Sequence, residues 1–338
     1  MNRRIRCVTL QASLVWLIAL ACLQSGIAQE PGETELLAKY GKRDVSVHDP
    51  SSIVECGDEY WLYSTGQFIR SYRSIDLKKW TRGPSVFDAM PGWLKEVVPD
   101  QTGHFWAPDI IHLGDRYLLY YSVSTFGKQT SAIALATNMT LDPESPDYRW
   151  TDRGIVIQTG LADNFNAIDP AIFLTEDNQL WMSFGSYWSG IKLIRLDAET
   201  GLRFSEDAKV YSLAWNRDIE AAHIYKRSGW YYLFINWGKC CRGTRSTYEI
   251  RVGRSRSITG PYIDRDDKNL LSGGGSLVLS SEGPFIGPGH ANVAEIDSRL
   301  VFHCHFYDGS NRGRSRLAML ELRFDDSDWP VIQTHEVE

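Results

Sequence analysis

One pattern recurs five times along the chain: a β-branched residue, a polar turn, then a strand rich in aromatic and aliphatic side chains. The first copy is Ile53 with Gly57-Asp58 and Tyr60-Trp61-Leu62-Tyr63, and the second is Ile110 with Gly114-Asp115 and Tyr117-Leu118-Leu119-Tyr120. Ile172 with Asp177-Asn178 and Leu180-Trp181-Met182 follows, then Ile224 with Ser228-Gly229 and Trp230-Tyr231-Tyr232-Leu233, and last Val293 with Asp297-Ser298 and Leu300-Val301-Phe302. The anchors are 57, 62, 52 and 69 residues apart, room for one four-stranded antiparallel sheet and its loops per step. A sheet of that size cannot bury both faces alone, so repeated sheets stack radially around an axis. The spacing therefore predicts an all-β chain folded as a five-bladed β-propeller. Further strands are expected at residues 131–136, 191–196 and 249–253, where the alternation has a period near two. The long amphipathic helices that an α/β fold needs between its strands are absent from the pattern.

In a propeller the innermost strand of each blade runs along the central channel, so residues just before the anchors gather at one mouth. Asp49, Asp169, Glu220 and His290 stand three or four residues before their anchors, and the second copy offers Trp106-Ala107-Pro108-Asp109. Three acids and an imidazole in one place are costly to desolvate, which points to a functional site. Asp-Pro is also a common turn pair, so Asp49-Pro50 or Asp169-Pro170 taken singly explains no more than a loop. Two such pairs at one place in the repeat, with Glu220 in the matching place, favour the site. Carboxyl groups facing each other across a cleft are the equipment for splitting a glycosidic bond, one protonating the leaving oxygen and the other activating water. Aromatic residues make up 12% of the chain, and Trp106, Tyr187, Trp188 and Trp237 are candidate platforms for sugar rings, although blade packing also consumes aromatics.

The N-terminus reads as an export signal. Arg3, Arg4 and Arg6 precede an apolar run from Leu10 to Cys22 and a small-x-small site at Gly26-Ile27-Ala28. We expect a signal peptide over residues 1–28, cleavage after Ala28, and one propeller domain over 29–338. The protein would be secreted or periplasmic, a monomer, with no stable membrane association after cleavage. The apolar run is shorter than the roughly 20 residues a spanning helix needs; lipid attachment at Cys22 is the lesser alternative. Losing three arginines and no acid moves the formal charge from −6 to −9, which argues against nucleic acid as a partner and for a neutral substrate. Cys56, Cys240, Cys241 and Cys304 remain, too few for a disulfide scaffold in a chain this long. The adjacent pair is open to two readings, a vicinal disulfide or two free thiols.

The ordered motifs resemble glycoside hydrolase family 43 and, within it, the endo-α-1,5-L-arabinanases. They are His48-Asp49-Pro50-Ser51, Trp106-Ala107-Pro108-Asp109-Ile110, Asn166-Ala167-Ile168-Asp169-Pro170, Glu220-Ala221-Ala222-His223-Ile224, Asn236-Trp237-Gly238-Lys239-Cys240-Cys241-Arg242-Gly243, Ser246-Thr247-Tyr248, Gly253-Arg254-Ser255 and Gly287-Pro288-Gly289-His290. The resemblance implies a five-bladed propeller, an inverting mechanism, and a plant cell-wall polysaccharide as partner: arabinan, the side chains of pectin. It makes Asp49 the general base, Glu220 the general acid, and Asp169 the residue that sets the acid's pKa and orientation. Inversion calls for the Asp49 and Glu220 carboxyls to stand roughly 6.5–9.5 Å apart, retention for about 5 Å. His48, Trp106, Asn166, Ala167, Ile168, Ser186, Tyr187 and Trp188 would hold sugar units. His290 resembles a channel histidine that holds a hydrated calcium ion, an unusual ligand for an oxygen-seeking cation, so water would fill most of the coordination sphere. The loop at residues 90–104 is expected to carry Trp93 and His104 towards the cleft, and His303 and His305 to pack or touch substrate. An exo-acting α-L-arabinofuranosidase or β-xylosidase with the same acids in a closed pocket is the alternative. A glycan-binding propeller without catalysis is opposed by the presence of all three carboxylates.

Overall fold

The computed structural model describes residues 32–205 and 209–336. The expected signal peptide, with Cys22, lies outside the described residues. Five antiparallel sheets follow one another along the chain. The first blade comprises Val54–Cys56, Glu59–Ser64, Arg70–Ser74 and Thr81–Arg82, and the second His104–Leu113, Arg116–Ser124, Ser131–Asn138 and Thr151–Thr159, with Gly66–Gln67 added at its inner edge. The third comprises Ala171–Leu174, Leu180–Phe184, Ile191–Leu196 and Tyr211–Ala214, and the fourth Ile219–Arg227, Trp230–Trp237, Glu249–Ser255 and Ser276–Leu279. The fifth is built from Phe285–Ile296, Arg299–Asp308 and Arg314–Phe324, with Pro330–Glu336 and Lys42–Arg43 along its outer strand. The chain is the expected five-bladed propeller. Its repeat is literal: Ile110 pairs with Leu119, Ile172 with Met182, Ile224 with Leu233 and Val293 with Phe302, so four anchors sit on an innermost strand opposite the aromatic-rich one, and Ile53 immediately precedes the innermost strand of the first blade, where Val54 pairs with Trp61.

The apolar side chains fill the spaces between blades. Leu118, Tyr120 and Ile133 of the second blade meet Ile172, Met182 and Ile194 of the third; Leu193 of the third meets Ile224 and Leu233 of the fourth. Phe234 and Val252 of the fourth meet Phe302 and Phe306 of the fifth, and Val301 and Leu317 of the fifth return to Leu62 and Tyr72 of the first. Each sheet thus covers both faces against its neighbours, and much of the aromatic content is spent here, with Trp61, Tyr63, Tyr120, Tyr121 and Tyr232 fully buried.

The ring closes through a strand with no sequence signature. Lys42–Arg43 pairs with Ala318 and Leu317, fastening the N-terminal side of the chain to the last blade. Lys42 Nζ also lies 2.8 Å from Oδ2 of Asp308, a fully buried carboxylate. Burial pushes the Asp308 pKa up, but Lys42 and Ser310 outweigh it and hold the carboxyl below its usual range. Removing Lys42 leaves this buried carboxylate only Ser310 and the more distant Arg316 guanidinium, 3.9 Å away, to compensate its charge. Lys42→Met should therefore cost about 3 kcal/mol, read as a lower denaturant midpoint at unchanged slope; a loss below about 0.5 kcal/mol, the scale of an ordinary surface change, would contradict this.

Candidate active site

At one mouth of the channel every blade places, on its innermost strand or just before it, a non-glycine residue in the left-handed conformation: Asp49 (φ 50°), Ala107 (39°), Asp169 (58°), Ala221 (53°) and His290 (59°). Each such residue costs on the order of 1–3 kcal/mol and persists only where its surroundings hold it. Here a side chain, in most cases from the second strand of the preceding blade or its end, accepts each strained N–H. Asp49 donates to His305 Nδ1 (3.1 Å), Ala107 to Thr65 Oγ1 (2.8 Å), Asp169 to Ser122 Oγ (2.9 Å), and His290 to Asn236 Oδ1 (2.9 Å). The fourth blade differs, because Ala221 donates to Asp169 Oδ2 itself (3.2 Å). The pairing slips at the same place in three blades, between Trp106 and Asp109, Glu220 and His223, and Gly289 and Asn292, so a bulge turns these residues towards the mouth. By backbone conformation Asp49, Asp169 and His290 are equivalent. Glu220 stands one residue earlier, in the place held by His48, Trp106 and Ile168 in other blades.

Asp49 is bonded by Thr65 and His48 and flanked by two further imidazoles. Its Oδ2 accepts from Thr65 Oγ1 (2.6 Å) and pairs with His48 Nδ1 (2.8 Å), while Oδ1 lies 3.5 Å from His305 Nδ1 and 3.7 Å from His290 Nδ1. Burial disfavours its charge, but His48, through its charge and its hydrogen bond, is the chief influence that outweighs burial and holds Asp49 well below the usual carboxylate range. Burial likewise opposes the charged form of His48, and Asp49 beside it turns the balance upward. Burial dominates at His290 and His305, keeping both imidazoles neutral.

Glu220 is placed oppositely. Ser186 Oγ donates to it at 2.7 Å and Tyr248 Oη bonds its other oxygen. Burial nevertheless raises its pKa, more than these two hydrogen bonds lower it. Asp169 is raised well above the carboxylate range by burial, then by the charges of Glu220 and Asp49, against the opposing Ala221 N–H. Asp169 and Glu220 titrate as a unit that retains a proton where Asp49 has lost its own. One ionised carboxylate and a pair of carboxyls that burial keeps protonated to higher pH therefore share the mouth.

A cavity of about 880 Å³ opens over these groups. Of the residues expected to hold sugar, His48, Trp106, Asn166, Ile168, Ser186, Tyr187 and Trp188 line it. Ala167 does not: it is fully buried in the core between the second and third blades, with its N–H on Thr159 Oγ1, and supports the wall from behind. Tyr187 and Trp188 are held at φ 52° and 36°, which presents Trp188 43% exposed at the rim. His104 reaches the cleft as expected, whereas Trp93 packs on the core of the first two blades and donates to Asp152 Oδ2 at 3.0 Å. Trp237 lies under the Arg251 guanidinium, 4.2 Å from its centroid, and packs against the core of the third and fourth blades. His303 and His305 are fully buried; His303 Nε2 bonds the Ser51 carbonyl, and His305 holds the Asp49 backbone. Thr65, Tyr248 and His305 are site residues that the motifs did not single out, although Tyr248 lies in one of them. Cys240 and Cys241 form a vicinal disulfide on the cleft wall, and Cys56 and Cys304 are free.

His48, Asp49 and His305 each offer a ligand atom, all within 4.8 Å of one another, and His290 stands beside them. Imidazoles with one carboxylate supply a single oxygen-donor group, so a hard cation fits here only with water completing its sphere.

The family model described as "Glycosyl hydrolases family 43" matches residues 44–330. The chain is 40% identical over 337 residues to "Extracellular exo-alpha-(1->5)-L-arabinofuranosidase ArbA" of Cellvibrio japonicus, covering 96% of this chain and 93% of that protein. It is 36% identical to "Extracellular endo-alpha-(1->5)-L-arabinanase 1" of Bacillus subtilis, covering 92% and 95%. Among solved structures, an α-L-arabinanase of Cellvibrio cellulosa complexed with arabinohexaose superimposes with a TM-score of 0.82 at 39% identity, covering 85% of this chain and 95% of that one.

Proposed function

The chain belongs to glycosyl hydrolase family 43, and from that premise we propose that it releases short products from the ends of α-1,5-linked arabinan, with inversion at the anomeric carbon. It is a glycosidase acting on arabinan-type α-L-arabinofuranosidic linkages. The observation that carries the mechanism is that two carboxyls with opposed surroundings line one cleft: Asp49 against His48 and Thr65, which favour its charge, and Glu220 buried beside Ser186 and Tyr248, where burial favours its proton. Asp49 takes a proton from water as the water attacks the anomeric carbon; Glu220 gives its proton to the sugar oxygen that departs from the opposite face. Asp169 positions the acid through the Ala221 N–H and is coupled to it by charge.

Asp169→Asn removes the second carboxylate of that pair. Glu220 then loses its proton at lower pH, so the basic limb of the kcat/KM profile should move to lower pH as kcat falls. A basic limb that stays in place would contradict that coupling.

The chain-end mode is supported by the Cellvibrio japonicus relative, whose printed name is exo and whose identity (40% against 36%) and match to this chain (96% of it against 92%) exceed those of the endo relative from Bacillus subtilis. It replaces the endo mode expected from the motifs. Chromatography of early products from linear debranched arabinan tests it: one short product from the first time point is expected, and a ladder of oligosaccharides would restore the endo reading.

We further propose a hydrated calcium ion beside His290 and Asp49, whose charge would favour ionised Asp49. Chelation should lower kcat and added calcium restore it; full activity in protein shown to be metal-free would exclude the ion. For residues 1–28 the proposal is an export signal followed by one secreted or periplasmic, monomeric propeller domain. Among the described residues no helix is long and apolar enough to cross a membrane. N-terminal sequencing of the exported protein should begin at Gln29; a start at Met1 would contradict the signal.

A further inference from the structure

Behind Asp49 runs a line of hydrogen bonds that the acid–base scheme does not use. Tyr307 lies near the end of the second strand of the fifth blade and is 3% exposed. Its Oη stands 2.8 Å from His48 Nε2 and accepts the backbone N–H of Cys241 at 2.7 Å. His48 in turn pairs with Asp49 Oδ2 through Nδ1, and its ring stacks on His305, centroids 4.2 Å apart. His305 holds the Asp49 backbone. Both ring nitrogens and one face of His48 are thereby occupied. At the far end, Cys241 sits in the left-handed conformation (φ 64°) and is tied to Cys240 by the disulfide on the cleft wall.

We infer that Tyr307, fixed by the Cys240–Cys241 loop, is a positioning residue for the base: it orients His48, and through His48 the Asp49 oxygen that receives the proton of water. A phenol suits this place because its hydroxyl can donate to a neutral imidazole nitrogen or accept from a protonated one. The bond to His48 persists in either state, whereas phenylalanine can make neither bond and frees the Cys241 N–H as well. Misplacing a reacting group by about 1 Å can cost on the order of 10²-fold in rate, so an effect on turnover with little effect on binding is the signature. The inference rests on Asp49 being the base.

The test is a pair of backgrounds. In the wild-type enzyme, Tyr307→Phe should lower kcat about 10- to 30-fold with KM changed less than about twofold. In Asp49→Gly, where glycine accepts the positive φ, azide can replace activated water on an aryl α-L-arabinofuranoside. Azide nitrogen bonds the anomeric carbon as the bond to the phenol oxygen breaks, and Glu220 supplies the proton to that oxygen. With no base left to orient, adding Tyr307→Phe to Asp49→Gly should change the azide-dependent rate by less than about twofold. An equal loss in both backgrounds would make Tyr307 merely structural and overturn the inference. Failure of azide to restore any turnover to Asp49→Gly would overturn the base assignment, and the inference with it. Cys240→Ser/Cys241→Ser keeps Tyr307 in place and should lower kcat by about 3- to 5-fold, again at steady KM, since the loop is loosened and the phenol kept; unchanged kcat would overturn the role given to the disulfide.

Discussion

Glu220→Gln should lower kcat on arabinan by about 10³- to 10⁴-fold, yet leave an aryl α-L-arabinofuranoside with an acidic phenol within about tenfold of wild type. A sugar alkoxide is a poor leaving group and must be protonated as the bond breaks, whereas an acidic phenol departs as its anion. The geometry should survive the change. Ser186 and Tyr248 both bond the Glu220 carboxyl through hydroxyls, which can rotate to accept from an amide as readily as they donate to an oxygen. The difference between the two substrates is therefore chemical. Equal losses on both would remove Glu220 as the acid.

Asp49→Asn should behave otherwise, lowering both substrates together by about 10³-fold or more, because activating water is needed whatever leaves. Asparagine is the informative replacement. Asp49 sits at φ 50°, a conformation that Asn tolerates and that a side chain without a local hydrogen-bonding group does not adopt cheaply. Thr65 can still donate to the amide oxygen, so the loss reports the missing base and not an altered backbone. Retained turnover of the aryl substrate would contradict the assignment.

The blades were legible because the anchors, on the innermost strand or, for Ile53, immediately before it, mark where that strand pairs with an aromatic-rich neighbour, and that leaves a period in the chain. The three acids were legible for the same reason, since strand starts at one mouth recur with the period. Their conformation was not. Ala107 and Ala221 adopt positive φ although alanine gives no sign of it, so the one-residue offset of Glu220 from Asp49 and Asp169 was invisible. The groups that hold these residues, among them Thr65, Ser122, Asn236 and His305, come from the preceding blade and are far away in sequence for the residues they hold. Residue type also cannot separate cleft from core: Ala167 and Trp93 belong to the second, Trp188 to the first. The closing strand of two residues is too short to carry any alternation, and a pair of adjacent thiols does not state whether it is oxidised.

The central claim is that water activated by Asp49 displaces the sugar directly while Glu220 protonates the departing oxygen. Proton NMR of the first turnovers on an α-L-arabinofuranoside tests it most directly, before mutarotation mixes the anomers. The account predicts that the β-anomer appears first. Initial release of the α-anomer would mean two displacements through a covalent sugar, and would contradict it.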